Sequence, residues 1–203
     1  MSKAVMISIR PKWCEKIARG EKTIEVRKTR PKLETPFKCY IYCTKAKERL
    51  IGILKDGDEN YGETYHGNPV FIKLDEGSVC DMWGKRQKVI GEFTCDRIYK
   101  IDKDSIDFLF KDGGLSVYKQ AAEEKCGLRV AMTDDELHGY LGHCQGYGWH
   151  ISDLKIYDEP KELGEFSCGS STLEWSETRD GFPWKWSGMN RPPQSWCYVE
   201  EQK

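Results

Sequence analysis

The chain reads Gly20-Glu21-Lys22-Thr23-Ile24-Glu25-Val26-Arg27 just after a predicted strand and helix, and this stretch decides how the fold is interpreted. Ile24 and Val26 alternate with polar neighbours, which is the period of a short strand with one apolar face. Side chains two residues apart on a strand point to the same side, so Glu25 and Arg27 are placed to form a hydrogen-bonded charged pair. Lys22 lies in the turn that leads into this strand, and we expect it to swing freely over the same surface.

These three charged side chains suggest a binding site. Arginine presents a planar fork of donors and lysine a mobile charge, and one carboxylate can hold the arginine in place. We therefore expect Lys22, Glu25 and Arg27 to line a cleft that takes a phosphate group or the edge of a nucleobase. The alternative is a solvated charged strand, of the kind that any surface hairpin can carry.

Two predicted elements precede this stretch. Residues 5–10 form an apolar run typical of a strand, and Pro11 is placed to open a helix at its first turn. Trp13 and Ile17 fall on one face of that helix, which we expect to end at a left-handed Gly20. The first two strands and the last strand are predicted to share one curved sheet, with the helix packed across it through Trp13 and Ile17.

The rest of the chain mixes strands and helices without regular alternation. Further strands are predicted at residues 37–44, 70–74, 89–95, 149–156 and 194–199, with a bulge at Gly91. Helices are predicted at residues 104–110, at residues 116–126 and after the capping-box sequence that starts at Thr133. Polar or glycine-rich loops are predicted at residues 56–69 and 142–148, and an irregular tryptophan-rich segment at residues 165–193. This order predicts an α+β fold, a small β-barrel with helical insertions, in one domain.

The spacing of the charged stretch resembles the G-x-K-x-x-E-x-R signature of ASCH domains. Further similarity to that family lies at residues 89–93, 148–154 and 192–198, so the resemblance covers most of the chain. The overall pattern looks like that of small ASCH proteins carried by bacterial prophages. The resemblance implies a PUA-like barrel in which residues 1–203 form a single ASCH domain, with insertions near residues 56–69 and 165–193.

The first functional interpretation is a binding module. PUA domains recognise RNA, and the resemblance implies that this chain binds RNA or a nucleotide-like ligand. The expected ligand-binding residues are Lys22, Glu25, Arg27 and Trp149, with Tyr40 and Tyr42 nearby, in a cleft suited to an extruded base. No cofactor and no metal ion is predicted, because the four histidines show no ligand spacing and the chain contains no C-x-x-C pair.

The second interpretation is an enzyme. Small bacterial ASCH proteins include amidohydrolases that act on acetylcytidine with a lysine at the position of Lys22, which would then be the catalytic residue here. Those enzymes carry a threonine at the position of Glu25, and an adjacent carboxylate is expected to raise the pKa of the lysine rather than lower it. Ribonuclease activity, also found in the family, and a plain interaction protein that reuses the fold remain further alternatives.

The charge distribution agrees with a local anionic ligand. Residues 1–55 hold 15 Lys and Arg against five Asp and Glu, whereas residues 56–203 hold 17 against 28. A basic N-terminal part on a chain of net charge −1 suits an anion bound in one place rather than a protein that coats nucleic acid. Mingling of opposite charges on the folded surface explains the composition equally well.

The cysteines and the absence of long apolar runs indicate a cytoplasmic protein. The nine cysteines are an odd number, and Cys39 and Cys43 flank Ile41 at the period of a strand, as expected of reduced core thiols. The first apolar stretch is too short for the core of a signal peptide, and no run approaches the roughly 20 residues that a membrane span requires. The sequence therefore predicts no membrane association and leaves the oligomeric state open.

Overall fold

The structure of the protein is a computed structural model that describes residues 2–45, 87–102, 108–112, 115–142, 144–168, 173–175, 184–186 and 188–202. In chain order the described elements are β1 (Lys3–Ile9), α1 (Pro11–Ala18), β2 (Ile24–Arg27), β3 (Phe37–Cys43), β4 (Val89–Cys95), β5 (Ile98–Asp102), β6 (Leu109–Asp112), β7 (Leu115–Tyr118), α2 (Lys119–Cys126), α3 (Asp134–Leu141), β8 (Gly146–His150), β9 (Ser152–Lys161), a 3₁₀ helix (Leu163–Glu165), β10 (Leu173–Trp175), β11 (Trp184–Trp186) and β12 (Trp196–Glu200). The mixture confirms an α+β fold. The predicted strand at residues 70–74 and the excursion at residues 56–69 lie outside the described residues.

The first sheet has five strands in the order β12-β1-β3-β4-β9, and it is covered on both faces. Strand β1 runs parallel to β3 and antiparallel to β12. Its odd-numbered residues Val5, Ile7 and Ile9 pack in one apolar cluster with α1, while Ala4 and Met6 pack in another on the opposite face. Because both faces are buried, β1 reads as a continuous apolar run rather than as an alternating one.

The second sheet has the order β2-β8-β5-β6-β7, with antiparallel pairing throughout. The prediction that the first two strands share a sheet with the last strand is therefore wrong for β2, which pairs with β8 in the second sheet. Ile24 and Val26 of β2 pack in the cluster formed by this sheet with α2 and α3. The described strands form two open sheets and the short β10-β11 pair, with no closed barrel among them.

Helix α1 matches its prediction at both ends. It begins at Pro11 and ends at Ala18, and Gly20 adopts the left-handed φ of +70° expected of a residue that follows a helix. Ile17 is fully buried and Trp13 is partly buried against the first sheet's core. The helix therefore lies over the first sheet through the two residues that the sequence indicated.

Other boundaries differ from the predicted ones. Residues 109 and 110 lie in strand β6, so a helix over residues 104–110 is wrong at its C-terminal end, while residues 103–107 are outside the described part. Helix α2 begins only at Lys119 because the residues before it form β7, although it ends before a left-handed Gly127 as expected. Helix α3 follows a complete capping box between Thr133 and Glu136.

The glycine-rich turn at residues 142–148 and the strand at residues 149–156 are also revised. Gly146 and Gly148 belong to β8, which ends at His150, and the chain resumes as β9 after Ile151. A Cβ at residue 148 would lie 2.8 Å from Ile24 Cγ2 of the neighbouring strand β2. Glycine at this position therefore lets β2 and β8 approach, rather than forming a turn.

The described cysteines carry no disulfide. Cys14, Cys39, Cys43 and Cys95 are buried, and burial raises the pKa of the Cys39 thiol well above its ordinary value. The remaining described thiols are exposed or partly exposed at Cys126, Cys144, Cys168 and Cys197. None of the helices in the described ranges is long and apolar enough to cross a membrane.

The bulge predicted at Gly91 is confirmed, and it explains why this position is a glycine. The register of β4 shifts against β9 between Val89 and Gly91. A Cβ at residue 91 would lie 2.4 Å from the carbonyl oxygen of Lys155, which is closer than real Cβ atoms approach backbone. A side chain here would force β4 and β9 apart.

We therefore expect Gly91→Ala to destabilise the protein by about 2 kcal/mol or more. Gly139→Ala is the matched control, because residue 139 lies in α3 with nothing within 4 Å of an added Cβ. That control should be neutral or stabilising by about 0.5–1 kcal/mol, as for alanine in a helix interior. Chemical denaturation of the two variants checks this, and equal stabilities would contradict the close approach of β4 and β9.

Candidate functional site

A cleft of about 590 Å³ opens between the two sheets beside α1 and α3. Its walls come from β1, α1, β2, α3 and residues next to these elements, β3 and β12: Ser8, Ile9, Arg10, Lys12, Trp13, Lys22, Glu25, Val26, Arg27, Thr44, Met132, Glu136, Gly139, Tyr140, Gln194 and Ser195. The volume falls in the range of roughly 300–1,000 Å³ that is common for small-ligand sites. The cleft brings Lys22, Glu25 and Arg27 together, as the strand alternation indicated.

Lys22 is held in place rather than free. Its side chain is almost completely buried, and its Nζ donates to the carbonyl oxygen of Val130 at 2.6 Å. The backbone N–H groups of Thr23 and Ile24 both donate to the Arg129 carbonyl oxygen, at 2.8 and 3.0 Å. The expectation of a freely swinging lysine was wrong because this segment before α3, more than 100 residues away in sequence, covers the turn.

Glu25 lies between the two cations. Its Oε1 is 3.0 Å from Arg27 Nη2 and its Oε2 is 3.6 Å from Lys22 Nζ. The second distance is an ion pair but longer than a hydrogen bond. Glu25 Oε2 is buried without a hydrogen-bond partner among the described residues, and the side chain faces the cleft. One carboxylate oxygen thus remains an open acceptor.

Arg27 connects the second sheet to the first. Its Nη2 donates to the carbonyl oxygen of Ser8 in β1 at 2.7 Å while also contacting Glu25. Within the described ranges, its Nε is buried and has no hydrogen-bond partner. The guanidinium is therefore fixed in orientation by two protein oxygens and keeps one buried donor unused.

Burial lowers the pKa of Lys22 below the ordinary value for lysine. Neighbouring Glu25 acts in the opposite direction and raises it, but desolvation is the larger effect, and Arg27 adds to the lowering. The sequence-based expectation that Glu25 would raise the pKa of Lys22 was right about the sign of that contribution and wrong about the net result. The cause is the nearly complete burial of Lys22, which the sequence did not reveal.

Trp13 provides an aromatic wall that the sequence analysis assigned only to packing. The Nζ atoms of Lys12, Lys16 and Lys22 lie 4.5, 5.5 and 5.1 Å from the centre of its ring. These distances are within the reach of cation–π attraction. Tyr140 lines the cleft from α3. The helical face of Trp13 was correctly predicted, but its position next to the charged cluster depends on the tertiary structure.

Lys12 links the two helices at the entrance of the cleft. Its Nζ donates to Glu136 Oε1, and the other oxygen of Glu136 accepts from the Thr133 N–H at 3.0 Å as part of the α3 capping box. The hydrogen bond from Lys12 and the one from Thr133 lower the pKa of Glu136 below its ordinary value. This ion pair connects α3 to α1 beside the cleft.

The aromatic residues expected on the cleft wall lie elsewhere. Trp149 is fully buried in the core, in edge-to-face contact with Phe37 and Trp196, and is directly opposite Glu25 in the β2-β8 register. Its Nε1 has no hydrogen-bond partner among the described residues. Tyr40 and Tyr42 are buried on the far face of the first sheet. Trp149 thus lies beside Glu25 on the same face of the second sheet but within the core. The aromatic rings at the cleft wall are those of Trp13 and Tyr140.

Comparison of the sequence with known protein families and with curated proteins finds no match. Among solved structures, the chain is similar to ASCH from Zymomonas mobilis, with 16% identity and a TM-score of 0.49, over 98% of this chain and 88% of that one. Two point mutants of the same protein give the same identity and TM-score, over 92% and 89% of their chains. Because the likeness is this distant, the chemistry of the cleft has to be inferred from the residues of this chain.

The lowered pKa of Lys22 gives the first testable property of the site. Between the folded pKa and the ordinary lysine value of 10.5, the unfolded chain binds more protons than the folded one, so this group makes stability rise with pH. We therefore expect the unfolding free energy of the wild type to rise relative to that of Lys22→Met as pH increases through the alkaline range. Comparing the two proteins removes the shared contributions of tyrosines and thiols.

Lys100→Met is the control, since Lys100 is exposed on β5. That variant should track the wild type at every pH in urea denaturation. A wild-type advantage over Lys22→Met that stays constant or shrinks between neutral pH and pH 10.5 would contradict the buried placement of Lys22.

Proposed function

We propose that the protein is an ASCH-like domain that binds RNA or a nucleotide-like ligand, with a base held in the cleft by Lys22, Glu25 and Arg27. The observation that carries this proposal is the open acceptor on Glu25 beside the unused donor on Arg27. Burial of charged groups costs several kcal/mol per ion unless each is well paired. A cluster that is buried, charged and still incompletely hydrogen-bonded is suited to a ligand that completes it.

The rest of the cleft suits a nucleotide. Trp13 and Tyr140 supply flat apolar surfaces on which a base can stack, a contact worth about 1–3 kcal/mol per base. Arg10 and Lys28 are exposed near its rim, with Lys28 Nζ 5.7 Å from the centre of the Tyr140 ring. These cations are available for phosphate groups outside the cleft, which agrees with the basic N-terminal part of the chain.

This proposal also includes features that rest on the sequence resemblance. They are the PUA-like barrel, the single domain over residues 1–203 with insertions near residues 56–69 and 165–193, and the likeness to prophage proteins. The proposal places the protein in the cytoplasm as well, on the strength of its cysteine pattern. Trp149 enters the proposal as the buried cross-strand neighbour of Glu25, rather than as a stacking surface.

A second candidate function is hydrolysis, and the lowered pKa of Lys22 favours it. A lysine needs such a shift to act as a base or a nucleophile near neutral pH. The substrate would be a modified nucleoside such as acetylcytidine, or an RNA chain. The hydrogen bond from Lys22 Nζ to the Val130 carbonyl oxygen holds this amine against the protein, which fits a binding role better than attack on a substrate.

The direct test is a panel of nucleosides, 5′-nucleotides and short RNAs, measured for binding by calorimetry and for turnover by chromatography. Arg27→Ala and Lys22→Met should each weaken binding by about 1–3 kcal/mol, the range for a charge-assisted contact. Lys100→Met, at an exposed position on β5 that does not line the cleft, should leave binding unchanged. Turnover by the wild type would support the hydrolase instead.

Thermal unfolding has to accompany these measurements. The burial and hydrogen bonds of the cluster predict that losing one partner costs up to about 3–5 kcal/mol of stability. Binding is therefore compared only below the unfolding transition of each variant. Failure of every ligand in the panel to bind, or equal binding by the cluster and control variants, would refute the proposed function.

A further inference from the structure

We propose that the cleft selects bases with an imide edge, as in uracil, over bases with an aminopyrimidine edge, as in cytosine. This inference rests on the proposed function and specifies the ligand of the same site. It follows from the order in which Lys22, Glu25 and Arg27 present hydrogen-bond donors and acceptors. Lysine and arginine side chains only donate, and a carboxylate only accepts.

The geometry places one acceptor between two donors. Glu25 has Lys22 Nζ at 3.6 Å on one side and Arg27 Nη2 at 3.0 Å on the other. Its Oε1 is engaged by Arg27, so Oε2 is the oxygen left for a ligand. The ammonium of Lys22, next to Oε2, has further N–H groups besides the one donated to Val130, and Arg27 keeps its Nε–H unused. The cluster therefore offers an acceptor on Glu25 that is flanked by donors of the two cations.

A ligand edge that complements this order must present an acceptor, a donor and an acceptor. The imide of uracil does so with its two carbonyl oxygens on either side of N3–H. Cytosine would set its N3 lone pair against the Glu25 carboxylate and its amino group against a cation. Guanine matches at O6 and N1–H but sets its amino group against the second cation. Each mismatch leaves a buried polar group unpaired, which is what gives hydrogen-bonding sites their discrimination.

Two further observations favour a base over a free anion in this position. Glu25 lies at the centre of the cluster and would repel a phosphate or carboxylate group placed against both cations. The ring of Trp13 is 5.1 Å from Lys22 Nζ, so a flat ring whose edge meets the cluster has an aromatic face close at hand. Recognition of the edge and stacking of the ring can occur in the same cleft.

The experiment measures dissociation constants of the wild-type protein for uridine, 3-methyluridine, cytidine, guanosine and inorganic phosphate, at one pH and salt concentration. The same comparison is made with short RNAs that contain uridine, 3-methyluridine or cytidine, which separates a free nucleoside from a residue in a chain. We expect uridine to bind at least about tenfold more tightly than cytidine or 3-methyluridine, whose methyl group removes the N3–H. Inorganic phosphate should not displace bound uridine.

Glu25→Gln provides the matched variant, because a carboxamide has nearly the same shape but offers a donor as well as an acceptor. It should reduce the ratio between uridine and cytidine binding toward one. Tight binding of cytidine, or no loss on methylation of N3, would overturn the imide assignment while leaving nucleotide binding intact. Absence of binding to every nucleoside and RNA would overturn the proposed function as well. Both outcomes are measured on the wild-type protein, so neither depends on whether Glu25→Gln folds.

Discussion

The buried pairing of Glu25 with Lys22 and Arg27 is the interaction on which the arrangement of the cleft depends. Glu25 and Arg27 belong to the second sheet, Arg27 also donates to the Ser8 carbonyl oxygen of the first sheet, and Lys22 donates to Val130 in the segment before α3. The cluster thus joins the two sheets and the α2-α3 connection at one point. The energy of buried charges depends strongly on their separation, so this cluster limits how far the two sheets can move apart at the cleft.

The same constraint leaves the charged side chains of the cleft in fixed orientations. Arg27 is oriented by two oxygens and Lys22 by one, so little side-chain freedom is left to be lost on binding. The helix α1 brings Trp13 to the edge of the cluster, and the link from Lys12 to Glu136 holds α3 on the other side. Rigid charges and a nearby aromatic face are the components that the proposed recognition of a base, by its edge and its ring together, requires.

Much of this could be predicted from local sequence. The alternation in β2 placed Glu25 and Arg27 on one side, the proline and glycine set the ends of α1, and the capping box located the start of α3. These features depend on residues within a few positions of one another, and local sequence patterns therefore predict them. The bulge at Gly91 was also recovered, because a glycine inside an apolar strand indicates close approach by another backbone.

What the sequence did not reveal depends on distant contacts. The burial of Lys22, and therefore its lowered pKa, comes from a segment more than 100 residues away. Trp149 lies in the core through contacts with Phe37 and Trp196, which are distant in sequence. The start of β6 differs from the predicted helix because a short apolar run does not distinguish a helix from a strand. The pairing of β2 with β8 could not be inferred either, because the two strands lie more than 100 residues apart in the sequence.

The proposed ligand site is tested most directly by the side-chain N–H spectrum of ¹⁵N-labelled protein. The Arg27 Nε–H resonance is assigned by its loss in Arg27→Lys. The buried guanidinium predicts a resonance protected from exchange with water in the free protein, because Nε is shielded and the side chain is fixed by Glu25 and Ser8. Addition of a uridine-containing RNA should shift that resonance as Nε gains an acceptor, with smaller changes away from the cleft. A rapidly exchanging resonance in the free protein, or one that does not move while signals from another surface do, would contradict the central claim that this buried cluster is the ligand site.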